Sequence, residues 1–140
     1  MFHFDFRMTM IEMIKLVAGS GLALSLAWLW NQCLFISGIS QRLRLGFWIP
    51  AGEELIKWGI LNCLHVSPPL FYGLFGLGEG LFESLAAPCK KITIILASMF
   101  THTIFSLFYL TALPTYVQLF LAIGAHMIWN GTILFWNQID

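Results

Sequence analysis

Charge is scarce in this sequence. Of 140 residues, seven are Lys or Arg and seven are Asp or Glu, 10% in all. A soluble domain carries about 25%. Apolar residues make up 59%, and the mean hydropathy is +0.81. That balance excludes an ordinary soluble domain and points to an integral membrane protein. Net charge is zero, so no excess of basic residues argues for nucleic acid as a partner. Cysteine is sparse too. Cys33, Cys63 and Cys89 are odd in number, far apart and without a CxxC spacing, which argues against a metal knuckle. They read as small apolar packing residues. No HExxH motif, internal repeat or low-complexity segment is present. The opening stretch "MFHFDFRMTMIEMIK" lacks the layout of a secretory signal peptide. Residues 1–15 read as an amphipathic lead-in at the interface, and the apolar run after them is expected to be retained.

Long apolar runs are what the chain has in plenty. A span needs about 20 mostly apolar residues, and five such runs are legible: Leu16 to Ile36, Phe47 to Val66, Pro69 to Ala87, Ile92 to Leu113 and Thr115 to Trp136. The breaks between them are physical. "SGISQRLRLG" is polar and basic, "HVSPPL" holds two prolines, "APCKK" joins Pro88 to two lysines, and "ALPT" turns at Pro114. Connections this short make consecutive helices antiparallel neighbours. The fold expected is all-α: one polytopic transmembrane helix bundle of about five spans, covering residues 1–140. Arg42 and Arg44 share a side with Lys90 and Lys91, and Lys and Arg favour the cytoplasm. The N-terminus is therefore expected outside and the C-terminus in the cytoplasm. Arg7 and Lys15 oppose this weakly, offset by Asp5 and Glu12.

Against this apolar background, the ionisable residues inside the spans stand out. "IPAGEELIKWGILN" carries Glu53, Glu54 and Lys57; the third run carries Glu79 and Glu83; the fourth has His102; the fifth has His126 and Asn130. A charge at a helix centre costs roughly 2.5–3.5 kcal/mol on insertion scales, so five unpaired ones would cost on the order of 12–17 kcal/mol. Such groups must meet each other, a water-filled cavity or a metal. Helical spacing allows it. Lys57 lies four residues from Glu53 and three from Glu54, so it can neutralise either. Glu79 with Glu83, and His126 with Asn130, are each one turn apart on one face. At about 1.5 Å per residue, Glu53, Glu54, Glu79, Glu83, His102, His126 and Asn130 all fall roughly 6–15 Å from the same end of their runs. Four helices thus place their polar groups in one band.

Carboxylates and imidazoles converging in a dry pocket can activate water for attack on a carbonyl, with His or Asn steadying the oxyanion. The same set offers zinc ligands, with Glu83, His102 and His126 as candidates. For each residue a plainer role competes: Glu53 and Glu54 as a helix-start pair after Pro50, Glu83 as an interfacial acid near Lys90, His102 as a packing residue. His3 and His65 read as surface residues, and the tryptophans at 28, 30, 48, 58, 129 and 136 as interfacial anchors or packing. Gly73, Gly76, Gly78 and Gly80 suit close helix approach.

Four segments carry a resemblance. "GEELIKWG" looks like an EExxK motif, "YGLFGLGEGLFESL" like a Gly-rich segment with Glu83 at its motif position, "THTIFSLFYL" like a His-bearing helix, and "AHMIWNGTI" like a closing HxxxN. In this order, over residues 47 to 136, the chain resembles the PrsW-type intramembrane proteases. Their superfamily also holds type II CAAX-type proteases, the YhfC group and the non-catalytic APH subunit of gamma-secretase. The resemblance implies an endopeptidase in a bacterial cytoplasmic membrane, cutting a membrane protein or peptide substrate. It makes Glu54 with Glu53 the base, Glu83 and His102 the groups completing water or metal activation, and His126 and Asn130 the oxyanion partners. Lys57 and Glu79 would support them, and the mechanism would be glutamic or zinc-dependent. Glu79 stands where the CAAX-type motif FxxxH has its His, a departure that leaves its role open. Two other classes fit the composition. A non-catalytic scaffold or immunity protein would keep the fold without turnover. A proton-coupled carrier would use the same intramembrane acids, although the missing inverted repeat argues against it.

Overall fold

The computed structural model describes residues 8–86 and 90–136. Pro88, Cys89, His3, Asp5 and Arg7 lie outside these, as does the start of the 1–15 lead-in. The described chain is helical, with no strand among the described residues. It runs α1 (Met10–Ile36), α2 (Gln41–Leu43), a π-helical turn (Arg44–Trp48), α3 (Ile49–Leu64), α4 (Pro68–Ala86), α5 (Lys91–Ser106), a 3-10 turn (Leu107–Leu110) and α6 (Thr115–Trp136).

Each boundary has a local cause. α1 begins six residues before the first apolar run, because Thr9 and Glu12 close a capping box. Thr9 Oγ1 accepts from Glu12 N at 3.2 Å, and Thr9 N donates to Glu12 Oε2 at 2.7 Å. Residues 10–15 of the expected lead-in are therefore the first turns of a 27-residue helix. α1 ends before Gly38, whose φ of +72° suits a residue without a Cβ. α3 closes on His65 in the left-handed region, which satisfies its terminal carbonyls.

The π turn feeding α3 follows from Pro50. Ile49 N donates to Arg44 O, five residues back. The next bond of that kind would come from Pro50, which has no N–H. Leu45 O instead accepts from Asn130 Nδ2 of α6 at 3.1 Å.

Three helices are long and apolar enough to cross a membrane: Met10–Ile36, Lys91–Leu110 and Thr115–Phe135. α3 has only 16 residues and three charges. α4 has 19, diluted by two prolines, two glutamates and four glycines. α3 carries the buried Glu53, Glu54 and Lys57, and the two helices sit against the others, α3 on α1 and α6, α4 on α1 and α5. The outer surface is apolar, with Phe82, Phe100, Phe120 and Ile128 all well exposed.

Close approach is built from small residues. Gly19, Ser20, Ala23 and Ala27 form the buried face of α1, and Ser20 Oγ donates to Phe71 O at 3.3 Å. Gly76 and Gly80 lie where α4 meets α5. A Cβ on Gly76 would stand 2.6 Å from Ser98 O, and one on Gly80 2.7 Å from Ile95 Cα. Such backbone contacts give van der Waals and weak C–H···O attraction where lipid offers no hydrophobic gain. Gly76→Val is therefore expected to cost about 1–3 kcal/mol through overpacking. Gly59→Ala, with nothing within 4 Å of the added carbon, should be neutral or stabilising. Unfolding titrations in detergent micelles compare the two, and equal stabilities would rule out the tight α4–α5 contact.

Candidate functional site

The site begins on α3. Its buried face carries Glu53, Glu54, Lys57 and Leu61, the one-turn spacing of a single helix side. Glu54 and Lys57 are fully buried. Of the two possible partners, Lys57 takes Glu54: its Nζ bonds Glu54 Oε1. The rest of the ammonium faces His102 Nδ1 at 3.2 Å and the rings of Phe75 and Tyr72, at 4.4 and 4.9 Å from their centroids. Glu54 accepts twice more, from Tyr72 OH at 2.8 Å and from His126 Nδ1 at 3.0 Å. One carboxylate thus joins α3, α4 and α6.

Donor and acceptor rules fix the protons. An ammonium only donates, so His102 Nδ1 accepts from Lys57 and the ring proton lies on Nε2. That Nε2–H donates to Glu79 Oε2 at 2.5 Å, and the same oxygen accepts from Ser98 Oγ at 2.8 Å. A carboxylate only accepts, so His126 donates through Nδ1. In the neutral ring this leaves the Nε2 lone pair directed toward Glu53 Oε2, 3.9 Å away. Glu53 is held through Oε1 by Asn31 Nδ2 of α1 at 3.1 Å. Its Oε2 is buried and has no hydrogen-bond partner. The two imidazoles meet edge-on, 5.2 Å between centroids, with Phe105 against both.

The structure therefore brings together Glu53, Glu54, Lys57, Glu79, His102 and His126. It does not bring in Asn130, whose amide serves Leu45 O. Nor does it bring in Glu83, which is exposed on the wall of a cavity of about 700 Å³ that it shares with Glu53 and Glu79. Sequence reasoning missed Tyr72, Asn31 and Ser98. Tyr72 had a signal, lying seven residues before Glu79 on the same face of α4, where a buried hydroxyl needs an acceptor. Asn31 had a weaker one, as half of an Asn-Gln pair near the end of an apolar run.

Glu54, His102 and His126 could hold a metal ion, since one ligand atom from each lies within 4.8 Å of the others. Zinc with bonds near 2.1 Å needs donors about 3.4 Å apart and free lone pairs directed at the ion. Both nitrogens of His102 and Nδ1 of His126 are already engaged. The Lys57 ammonium stands between Glu54 and His102, the place a cation would take. The residues as arranged do not fit zinc. Glu83, one of the expected ligands, is not in the cluster. No protein-family model matches the chain, and no curated protein or solved structure matches it.

Two outcomes are expected. Lys57→Met should cost about 3–5 kcal/mol by leaving a buried carboxylate unpaired. The double variant Glu54→Gln, Lys57→Met should recover much of it; additive losses in unfolding titrations would mean that the two are not coupled. Elemental analysis of the purified protein should find zinc well below stoichiometry, whereas one zinc per chain would mean that the ion displaces Lys57.

Proposed function

We propose that this chain is an intramembrane endopeptidase of the PrsW type, which hydrolyses a peptide bond of a membrane protein or peptide with a carboxylate-activated water. The observation that carries this reading is the 3.9 Å gap between Glu53 Oε2 and His126 Nε2. Two acceptors face each other there, and Glu53 also lines the cavity. A water at about 2.8 Å from each would donate to both, with its lone pairs turned toward a substrate carbonyl. Glu53 takes a proton as the water oxygen bonds the carbonyl carbon. It then delivers that proton to the leaving amine as the C–N bond breaks.

In this reading Glu54 is a positioning residue. Its oxygens are occupied by Lys57, Tyr72 and His126, so it orients His126 rather than acting as the base. His102 and Glu79 hold Lys57 in place from the other side. Glu83 and Asn130, expected in the catalytic set, act outside it, at the cavity wall and at the π turn. The chain crosses a bacterial cytoplasmic membrane about five times, N-terminus outside and C-terminus in the cytoplasm. α3 and α4 are carried through by their apolar neighbours.

A second reading has one observation in its favour. The bonds of Glu54, Lys57, His102 and Glu79 tie α3 to α4, α5 and α6 whether or not water is activated, as a scaffold of the same fold would require. New protein termini in native membranes separate the two. They would be compared between cells carrying the natural protein and cells carrying Glu53→Gln at matched abundance. A set of cut ends falling about 100-fold or more in the variant is expected for loss of a general base. Identical termini, with both proteins folded, would leave the scaffold.

A further inference from the structure

The cavity beside Glu53 is a second feature, larger than a water site needs. It holds about 700 Å³ between α1, α3 and α4, within the range of about 300–1,000 Å³ for ligand pockets. Its floor is acidic, formed by Glu53, Glu79, Glu83 and the amide of Asn31. Asn31 Oδ1 is buried there without a hydrogen-bond partner, and Glu53, which turns Oε1 to Asn31 Nδ2, is only 3% exposed. Its walls are apolar, with Leu24, Ala27 and Phe75, and its rim carries Trp28 and Phe82, 58% and 67% exposed. The opening therefore lies on the apolar outer surface of the bundle.

The charge balance is uneven. Around this floor and the cluster behind it stand the carboxyl groups of Glu53, Glu54, Glu79 and Glu83. One ammonium, Lys57, faces them, and it is committed to Glu54. The His102 imidazole, which accepts at Nδ1 from Lys57, is neutral. Negative charge in excess at a low-dielectric site is costly unless a cation meets it. The unpartnered atom on this floor, Asn31 Oδ1, is an acceptor, so its missing partner is a donor. An apolar passage leading to acceptor oxygens matches a long aliphatic stem that ends in a cation.

We propose that this cavity binds a lysine or arginine side chain of the substrate peptide, its stem along Leu24, Trp28 and Phe75 and its charged head on Glu79, Glu83 and Asn31, which leaves Glu53 to the water. This deepens the protease reading and rests on it for the identity of the peptide. Glu53 is the wall shared by the cavity and the reacting cluster, so a basic residue seated here lies beside the bond to be cut. The substrate class is then an apolar segment with one basic residue next to the cleavage point. The same cation chemistry occurs in aminophospholipid headgroups, and the test separates the two sources.

The probe is a pair of synthetic peptides with one apolar sequence, one carrying a central arginine and the other citrulline, its neutral near-isostere. Binding is measured on the full chain in phosphatidylcholine nanodiscs, with and without phosphatidylethanolamine. The natural protein should bind the arginine peptide about tenfold tighter than the citrulline peptide, the size of one charge-assisted hydrogen bond. Glu83→Gln, on an exposed residue that should not disturb folding, should reduce that preference to about threefold or less. Gly59→Ala, with nothing within 4 Å of the added carbon, should keep it. Equal affinities for the two peptides, or a preference unchanged in Glu83→Gln, would overturn the proposal. So would an arginine preference that vanishes when phosphatidylethanolamine is added, which would assign the cavity to lipid. Cut termini without an arginine preference would sink this inference and spare the protease reading. An arginine preference without cut termini would do the reverse.

Discussion

The bond between Lys57 and Glu54 is the interaction on which the rest of the site depends. Neither group could stand alone in a dry helix bundle, where an unpaired ion costs several kcal/mol. Together they define a fixed dipole, and the other polar groups arrange around its two ends. At the carboxylate end, Tyr72 and His126 donate. At the ammonium end, His102 accepts and passes the polarity on to Glu79. A direction runs through the whole set, from Glu79 through His102 and Lys57 to Glu54 and His126. The chain of bonds ends where His126 Nε2 faces Glu53. The gap between Glu53 and His126 is thus the terminus of a network whose other members are satisfied.

That network also explains why two elements poorly suited to lipid hold the centre of the fold. α3 is short and charged, and α4 is rich in glycine and proline. Both are covered by helices that expose large apolar side chains outward. The glycines of α4 let α5 come close enough for His102 to reach Lys57, across 45 residues of sequence. Packing and chemistry are therefore coupled at Gly76: the helix approach that it permits is the approach that places the imidazole.

Much of the helix layout was legible in the sequence, because apolar runs and prolines set it directly. The last helix has the expected bounds, Thr115 and Trp136. The first began early because a capping box outweighed the polarity of residues 10–15. The fourth run closed sooner than its hydropathy suggested, breaking into a 3-10 turn at Leu107. Of the site, the residue types and their faces were readable from helical spacing, and the partners were not. Spacing left Lys57 free to choose Glu53 or Glu54. It paired His126 with Asn130 on one face, although the amide goes to Leu45. It gave no sign that Asn31 of α1 would hold Glu53. Periodicity shows which side of a helix is polar; rotation and tilt against neighbours decide what each group meets.

The left-over carbonyl of Leu45 bears on how the chain is made. Pro50 removes the local donor, and the replacement comes from residue 130, 85 positions later. The partners of Glu54 and Lys57 likewise lie as far on as residues 126 and 102. During synthesis, α3 therefore leaves the ribosome with Glu54 and Lys57 paired only with each other and one carbonyl unanswered, and stays so until the later helices arrive. Burial of this segment is bound to the completion of the chain, and a nascent protein halted before residue 126 lacks the contacts that answer the polar groups of α3.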